Sequence, residues 1–148
     1  MWYKFDKEEL NSTHLYFENV TFIDHKNTFI FSCDTKNEFY HIIVDGTAYT
    51  CRLVNNFYSL LKDKYIKKRD EKYVIRKCNV AYTDESEYID WFRSNSYPIL
   101  DDDRVLYHFY INSEDFTVEF ITDEIPTVKR VEVNMESDIT PYDKPYIG

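Results

Sequence analysis

Leu15 to Cys33, LYFENVTFIDHKNTFIFSC, is the stretch whose reading decides the fold class. Successive side chains of an extended chain point to opposite faces, so Leu15, Phe17, Asn19, Thr21 and Ile23 share one side and Tyr16, Glu18, Val20, Phe22 and Asp24 the other. Both sides carry apolar residues, which predicts a strand partly covered on each face. His25-Lys26-Asn27 reads as a turn, and the β-branched and aromatic run Thr28 to Cys33 as the strand that returns beside it.

The same pattern continues outward. Asp34-Thr35-Lys36-Asn37 interrupts it, Phe39 to Val44 resumes it, and Asp45-Gly46 is the strongest hairpin signal in the chain, with Thr47 to Val54 as the expected return strand. Asn55 or Asn56 is placed to cap a helix whose Phe57, Leu60, Leu61 and Tyr65 fall at three- and four-residue spacing, ending near Ile66. A strand is expected from Tyr73 to Val80. A second helix follows, with Asp84 as N-cap, Glu85 and Glu87 in its first turn and Tyr88, Ile89 and Phe92 on its buried side. Ser94 to Pro98 ends it, because the residue before a proline avoids the helical region. Arg104 to Ile111 and Phe116 to Thr122 form a hairpin around Asn112-Ser113-Glu114-Asp115, and Pro126 precedes a short edge strand through Val128, Val131 and Val133.

These elements predict an α+β domain over residues 1–134, a largely antiparallel β-sheet with two main helices packed on one face, followed by an irregular tail over 135–148. Two consecutive hairpins near the start argue against a doubly wound parallel sheet.

Composition narrows the function classes. The 148 residues contain 2 glycines, too few for phosphate loops or glycine-punctuated repeats. Cys33, Cys51 and Cys78 are three, widely spaced and set in apolar or alternating runs, which fits buried thiols in a reducing compartment. No stretch nears the length of a membrane span, and MWYKFDKEEL has no signal-peptide pattern, so a cytoplasmic protein without a membrane partner is expected. The net charge of −9 is uneven: residues 61–80 are basic, with 8 Lys and Arg against 3 Asp and Glu, while residues 81–148 hold 16 acidic against 5 basic side chains. An acidic surface repels phosphate backbones, so direct nucleic-acid binding is not expected.

Catalytic and metal motifs fail in turn. His14, His25, His41 and His108 share no ligand spacing, and the reading favours hydrogen-bonded strand or surface histidines. Asp101-Asp102-Asp103 lacks the alternation and turn glycine of a calcium loop and reads as a solvated acidic turn. Cys78 follows Arg76-Lys77, yet alternation sends Lys77 to the opposite face. The basic residues between Lys62 and Lys77 read as a solvated helix end. No cofactor, catalytic residue or metal ligand is assigned.

What remains is the acidic, aromatic C-terminal half. Asp84, Glu85, Glu87 and Asp90 surround Tyr88 and Trp91 on the second helix, and Asp101, Asp102, Asp103, Glu114 and Asp115 fall in flanking loops. Charge that steers an encounter, with aromatic anchors to hold it, predicts docking on a basic protein partner, a toxin or nuclease-like effector. The expected class is a non-enzymatic inhibitor of the toxin-immunity or phage anti-defence kind. Two alternatives stand beside it. One is an enzyme or small-molecule binder with a pocket on the sheet lined by His41, Tyr49, Arg52, His108 and Tyr110; the other is a homodimer through aromatic edge strands.

Overall fold

The computed structural model describes residues 1–5, 7, 14–33, 38–45, 47–55, 79–96 and 103–132. Nine strands and one helix are found among them. β1 (Tyr3–Lys4), β6 (Val80–Thr83), β7 (Tyr107–Asn112), β8 (Phe116–Thr122) and β5 (Ala48–Asn55) form a five-stranded sheet in that order. β2 (Leu15–Ile23), β3 (Lys26–Cys33), β4 (Glu38–Asp45) and β9 (Thr127–Glu132) form a four-stranded one. Every pairing is antiparallel. No helix among the described residues is long and apolar enough to cross a membrane.

The two sheets pack face to face. Leu15, Phe29, Phe31, Tyr40, Ile42 and Val44 from the four-stranded sheet and Val80, Phe109, Ile111, Val118 and Phe120 from the five-stranded sheet share one core. A run of stacked rings crosses it: Phe29 on Phe120 at 4.5 Å, Phe120 on Phe109 at 5.2 Å and Phe109 on Tyr82 at 5.4 Å. Phe109 and Phe120 are direct cross-strand partners, and so are Tyr82 and Phe109, so the stack follows from register. Alternation then sends His108, Tyr110, Glu119 and Ile121 to the outer face of the five-stranded sheet, where all four are buried. The single helix of the described residues, α1 (Glu87–Asn95), covers part of that face, with Tyr88, Ile89 and Phe92 packed on Leu106, Ile121 and Tyr49. The chain start wraps the sheet edge: Trp2 lies against His108 and Tyr110 on the helix side, while Phe5 meets Phe109 in the inter-sheet core.

The expected antiparallel α+β architecture is thus present, but its layers differ. The apolar residues on both faces of the early strands are covered on one side by a second sheet, not by a second helix. The helix expected up to Ile66, most of the strand expected from Tyr73, and the tail from Met135 lie outside the described residues.

Two turns also differ from expectation. The first hairpin reverses at Asp24-His25, one residue earlier than read, both with positive φ (50° and 62°), and Ile23 pairs directly with Lys26. Positive φ at both central residues is the two-residue turn whose twist matches paired strands. The Asp45-Gly46 region does not make the expected hairpin. β4 has β3 on one side and β9 on the other, while β5 pairs with β8 in the opposite sheet, so the chain crosses between sheets here. Both edges of β4 are already paired, so β5 takes its partner from the other sheet.

Candidate functional site

The site is built on the outer face of the five-stranded sheet and on the helix above it. Ser86, not Asp84, caps α1: its Oγ accepts the Ile89 N–H at 3.1 Å. Asp84 and Glu85 belong to the connection that precedes the cap, where the Thr83 hydroxyl oxygen accepts the Glu85 N–H at 3.2 Å. The residues before the cap therefore have a turn of their own, which postpones the helix by two positions.

Beneath the cap runs a buried polar chain. The Ser86 hydroxyl meets His108 Nδ1 at 2.8 Å, His108 Nε2 meets Glu119 Oε1 at 2.7 Å, and Arg52 grips Glu119 through Nε at 2.7 Å and Nη2 at 3.1 Å. Burial and the Arg52 charge lower the His108 pKa, outweighing the Glu119 carboxylate that would raise it. Burial alone would raise the Glu119 pKa, but the hydrogen bonds from His108 and Arg52 and the charge of Arg52 bring it below the usual carboxylate range. The network thus assigns an ionised Glu119 and a neutral His108 that donates from Nε2 and accepts the Ser86 proton at Nδ1. Arg52 also lies over the Tyr88 ring, 3.8 Å from its centroid, and the Tyr88 hydroxyl meets Thr50 Oγ1 at 3.0 Å.

The order serine, histidine, carboxylate has the connectivity of a nucleophile relay. Its surroundings suit a different task. The Ser86 oxygen is occupied in capping, and the imidazole is fully buried between the rings of Trp2 (4.9 Å) and Tyr88 (5.0 Å). Each link joins a separate element: β5 through Arg52, β8 through Glu119, β7 through His108 and α1 through Ser86. The chain fixes the helix to the sheet.

Above that anchorage the helix presents the expected acidic surface. Asp84, Glu85, Glu87 and Asp90 are exposed, and Trp91 keeps 54% of its surface in water. Met1, 73% exposed, adjoins the N-terminal end, because its carbonyl accepts the Thr83 hydroxyl at 2.8 Å. At the other end Arg93 Nη2 donates to the Arg104 carbonyl, and Arg104 bridges Asp123 at 3.0 Å.

Other residues of the expected surface are placed elsewhere. Tyr88 is buried and holds the helix down. Glu114 and Asp115 lie in the β7–β8 turn, at the opposite end of the sheet from Thr83 and the helix cap. There the Glu114 N–H donates to the Leu15 carbonyl, Asp115 Oδ1 accepts the Phe17 N–H at 2.9 Å, and Glu114 meets His14 at 2.5 Å. The Glu114 main chain and the Asp115 carboxylate stitch the β7–β8 turn to β2. Asp103 is exposed, whereas Asp101 and Asp102 lie outside the described residues.

The residues named for a pocket on the sheet do not all share one face. His41 belongs to the four-stranded sheet, alternating with the core-facing Tyr40 and Ile42, so the inter-sheet core separates it from His108. Tyr49 bonds Asp123 and Arg104, and Arg52 and His108 are joined through Glu119. Among the described residues no three His, Cys, Asp or Glu side chains gather as metal ligands do. The sequence reading missed Glu119 and Ser86. Glu119 had a signal: it is the one charged residue of FTVEFIT, a strand otherwise rich in apolar residues, and a carboxylate buried there requires cationic or donor partners. Comparison of the chain with protein families, characterised proteins and solved structures finds no match.

Proposed function

We propose that the protein is a non-enzymatic binding protein that docks the outer face of α1 onto a basic protein surface and occludes it, as an inhibitor of a toxin or nuclease-like effector does. One observation carries this reading: Trp91 is more than half exposed in the middle of a helix whose other side is locked to the sheet, and the same helix exposes Glu87 and Asp90, with Asp84 and Glu85 exposed in the connection that leads into it. Acidic residues in a first turn are favoured by the helix dipole, which accounts for Glu87 and Asp90. The dipole does not account for an exposed indole among them. An aromatic anchor within a rim of one charge sign is the composition of a docking patch, with charge raising the encounter rate and the ring supplying the desolvated contact.

The reading is tested with a panel of small basic nucleases and an acidic protein as control, measuring both binding and cleavage. Binding to a basic member with loss of its cleavage is expected, weakened at least tenfold by Trp91→Ala and by the charge reversal D84K/E87K/D90K. Binding that ignores both changes, or none across the panel at physiological salt, refutes it.

A further inference from the structure

We propose that the chain forms a symmetric homodimer by antiparallel pairing of β2 with β2 of a second copy over Asn19–Ile23. β2 is an edge strand of the four-stranded sheet. Its first half is already engaged on the open side, where Leu15 accepts the Glu114 N–H and the Phe17 N–H reaches Asp115. A bulge between Phe17 and Asn19 then shifts the register by one residue. The tight turn at Asp24-His25 makes Ile23 and Lys26 a hydrogen-bonded pair, so Thr21 and Asn19 also bond inward to β3 while Phe22 and Val20 turn their N–H and C=O groups outward. The outward set thus changes from Leu15 and Phe17 before the bulge to Val20 and Phe22 after it. Among the described residues β3 is the only strand paired with this stretch.

Side chains select the same stretch. Phe22 is 65% and Ile23 64% exposed, and the run from Asn19 to Ile23 holds neither a charge nor a proline, the usual guards of an open edge. Of the two carboxylates that flank this run, Glu18 is turned back to accept the Ser32 hydroxyl at 2.6 Å, and Asp24 lies in the tight turn beyond the paired stretch. A second copy satisfies both needs. With the two-fold axis at Thr21, Val20 of one copy pairs with Phe22 of the other and vice versa, giving four main-chain hydrogen bonds and two apolar cross-strand contacts. A strand with this outward set and an exposed apolar pair complements itself in the antiparallel sense, so the second copy is the occupant.

Three measurements test it. Sedimentation should show the 18.0 kDa mass doubling with concentration, more readily at high salt because each copy carries a net charge of −9. Phe22→Pro, which removes an outward N–H and leaves the ladder to β3 intact, and Phe22→Lys, which keeps the N–H and adds a charge, should both remain monomeric with the wild-type circular dichroism. Leu53→Lys on the other long exposed edge, β5, should leave the dimer unchanged. Thr21→Cys should cross-link to itself on oxidation, since the axis places the two side chains opposite each other, while the wild type should not. A wild type that stays monomeric at several hundred micromolar overturns the proposal. So does a dimer that survives both Phe22 substitutions, or a Thr21→Cys chain that forms no disulfide.

Discussion

His108 is held neutral inside the fold, and its proton balance sets a pH dependence. Burial lowers its pKa below 6.5, whereas the unfolded chain takes up the proton near that value. Between 6.5 and the lower folded pKa the unfolded state therefore binds more protons, and stability falls as pH falls. Glu119 acts in the same direction at lower pH: its depressed folded pKa gives stabilisation that is present above the unfolded carboxylate value and lost as pH drops through the folded one. Thermal melts should show a falling midpoint below about pH 6.5, with a slope approaching ~1.4 kcal/mol per pH unit for one histidine. His108→Gln, whose amide can still donate to Glu119, should remove most of that first limb at some cost in stability at pH 7.5. His41 is also lowered, by partial burial and then Lys129, and His41→Gln should flatten the same limb less because the group is partly exposed. An unchanged acid slope in His108→Gln refutes the neutral-histidine assignment. Of this chain the sequence made Arg52 and His108 legible as sheet residues worth attention. It linked His108 to His41 because neither alternation nor spacing states which of two sheets a strand joins.

The elements show where local signals suffice. Hairpin β7–β8 and the buried stripe of α1 follow from alternation and three- and four-residue spacing, because each is specified by neighbours in sequence. The misread elements depend on something distant. Asp45-Gly46 carries a hairpin signal, yet β4 is enclosed by β3 and β9, whose last member lies more than 80 residues downstream. Asp84 has the chemistry of a cap and lost the position to Ser86, which also has a buried histidine to satisfy. The first hairpin turn was misread because it uses Asp24-His25 without the glycine that advertises a turn with two positive φ angles. A Cβ at a left-handed position is costly, less so for Asp than for His, so His25→Gly should raise stability by about 0.5–1 kcal/mol. His25→Val should lower it. Chemical denaturation midpoints at equal slope decide this, and a Gly variant no more stable than wild type refutes the strain argument.

At the scale of the molecule the order of layers separates the two proposed surfaces. The helix face with Trp91 lies beyond the five-stranded sheet, whereas the open stretch of β2 is an edge of the four-stranded sheet. The shared core stands between them. Pairing through β2 therefore leaves both helix faces of a dimer accessible, and the variants that test one surface should not disturb the other. Both surfaces depend on the ring stack from Phe29 through Phe120 to Phe109, in which Phe29 of one sheet lies on Phe120 of the other. Phe120→Ala should cost about 3–5 kcal/mol, the usual cost of truncating a buried phenylalanine. Because a two-state domain loses its layers together, Trp2 and Trp91 fluorescence on the helix side and far-ultraviolet dichroism of the sheets should report one common, lowered midpoint. A variant in which dichroism keeps the wild-type midpoint while tryptophan fluorescence shifts would mean that the sheets hold together without the stack, and that the helix layer alone depends on Phe120.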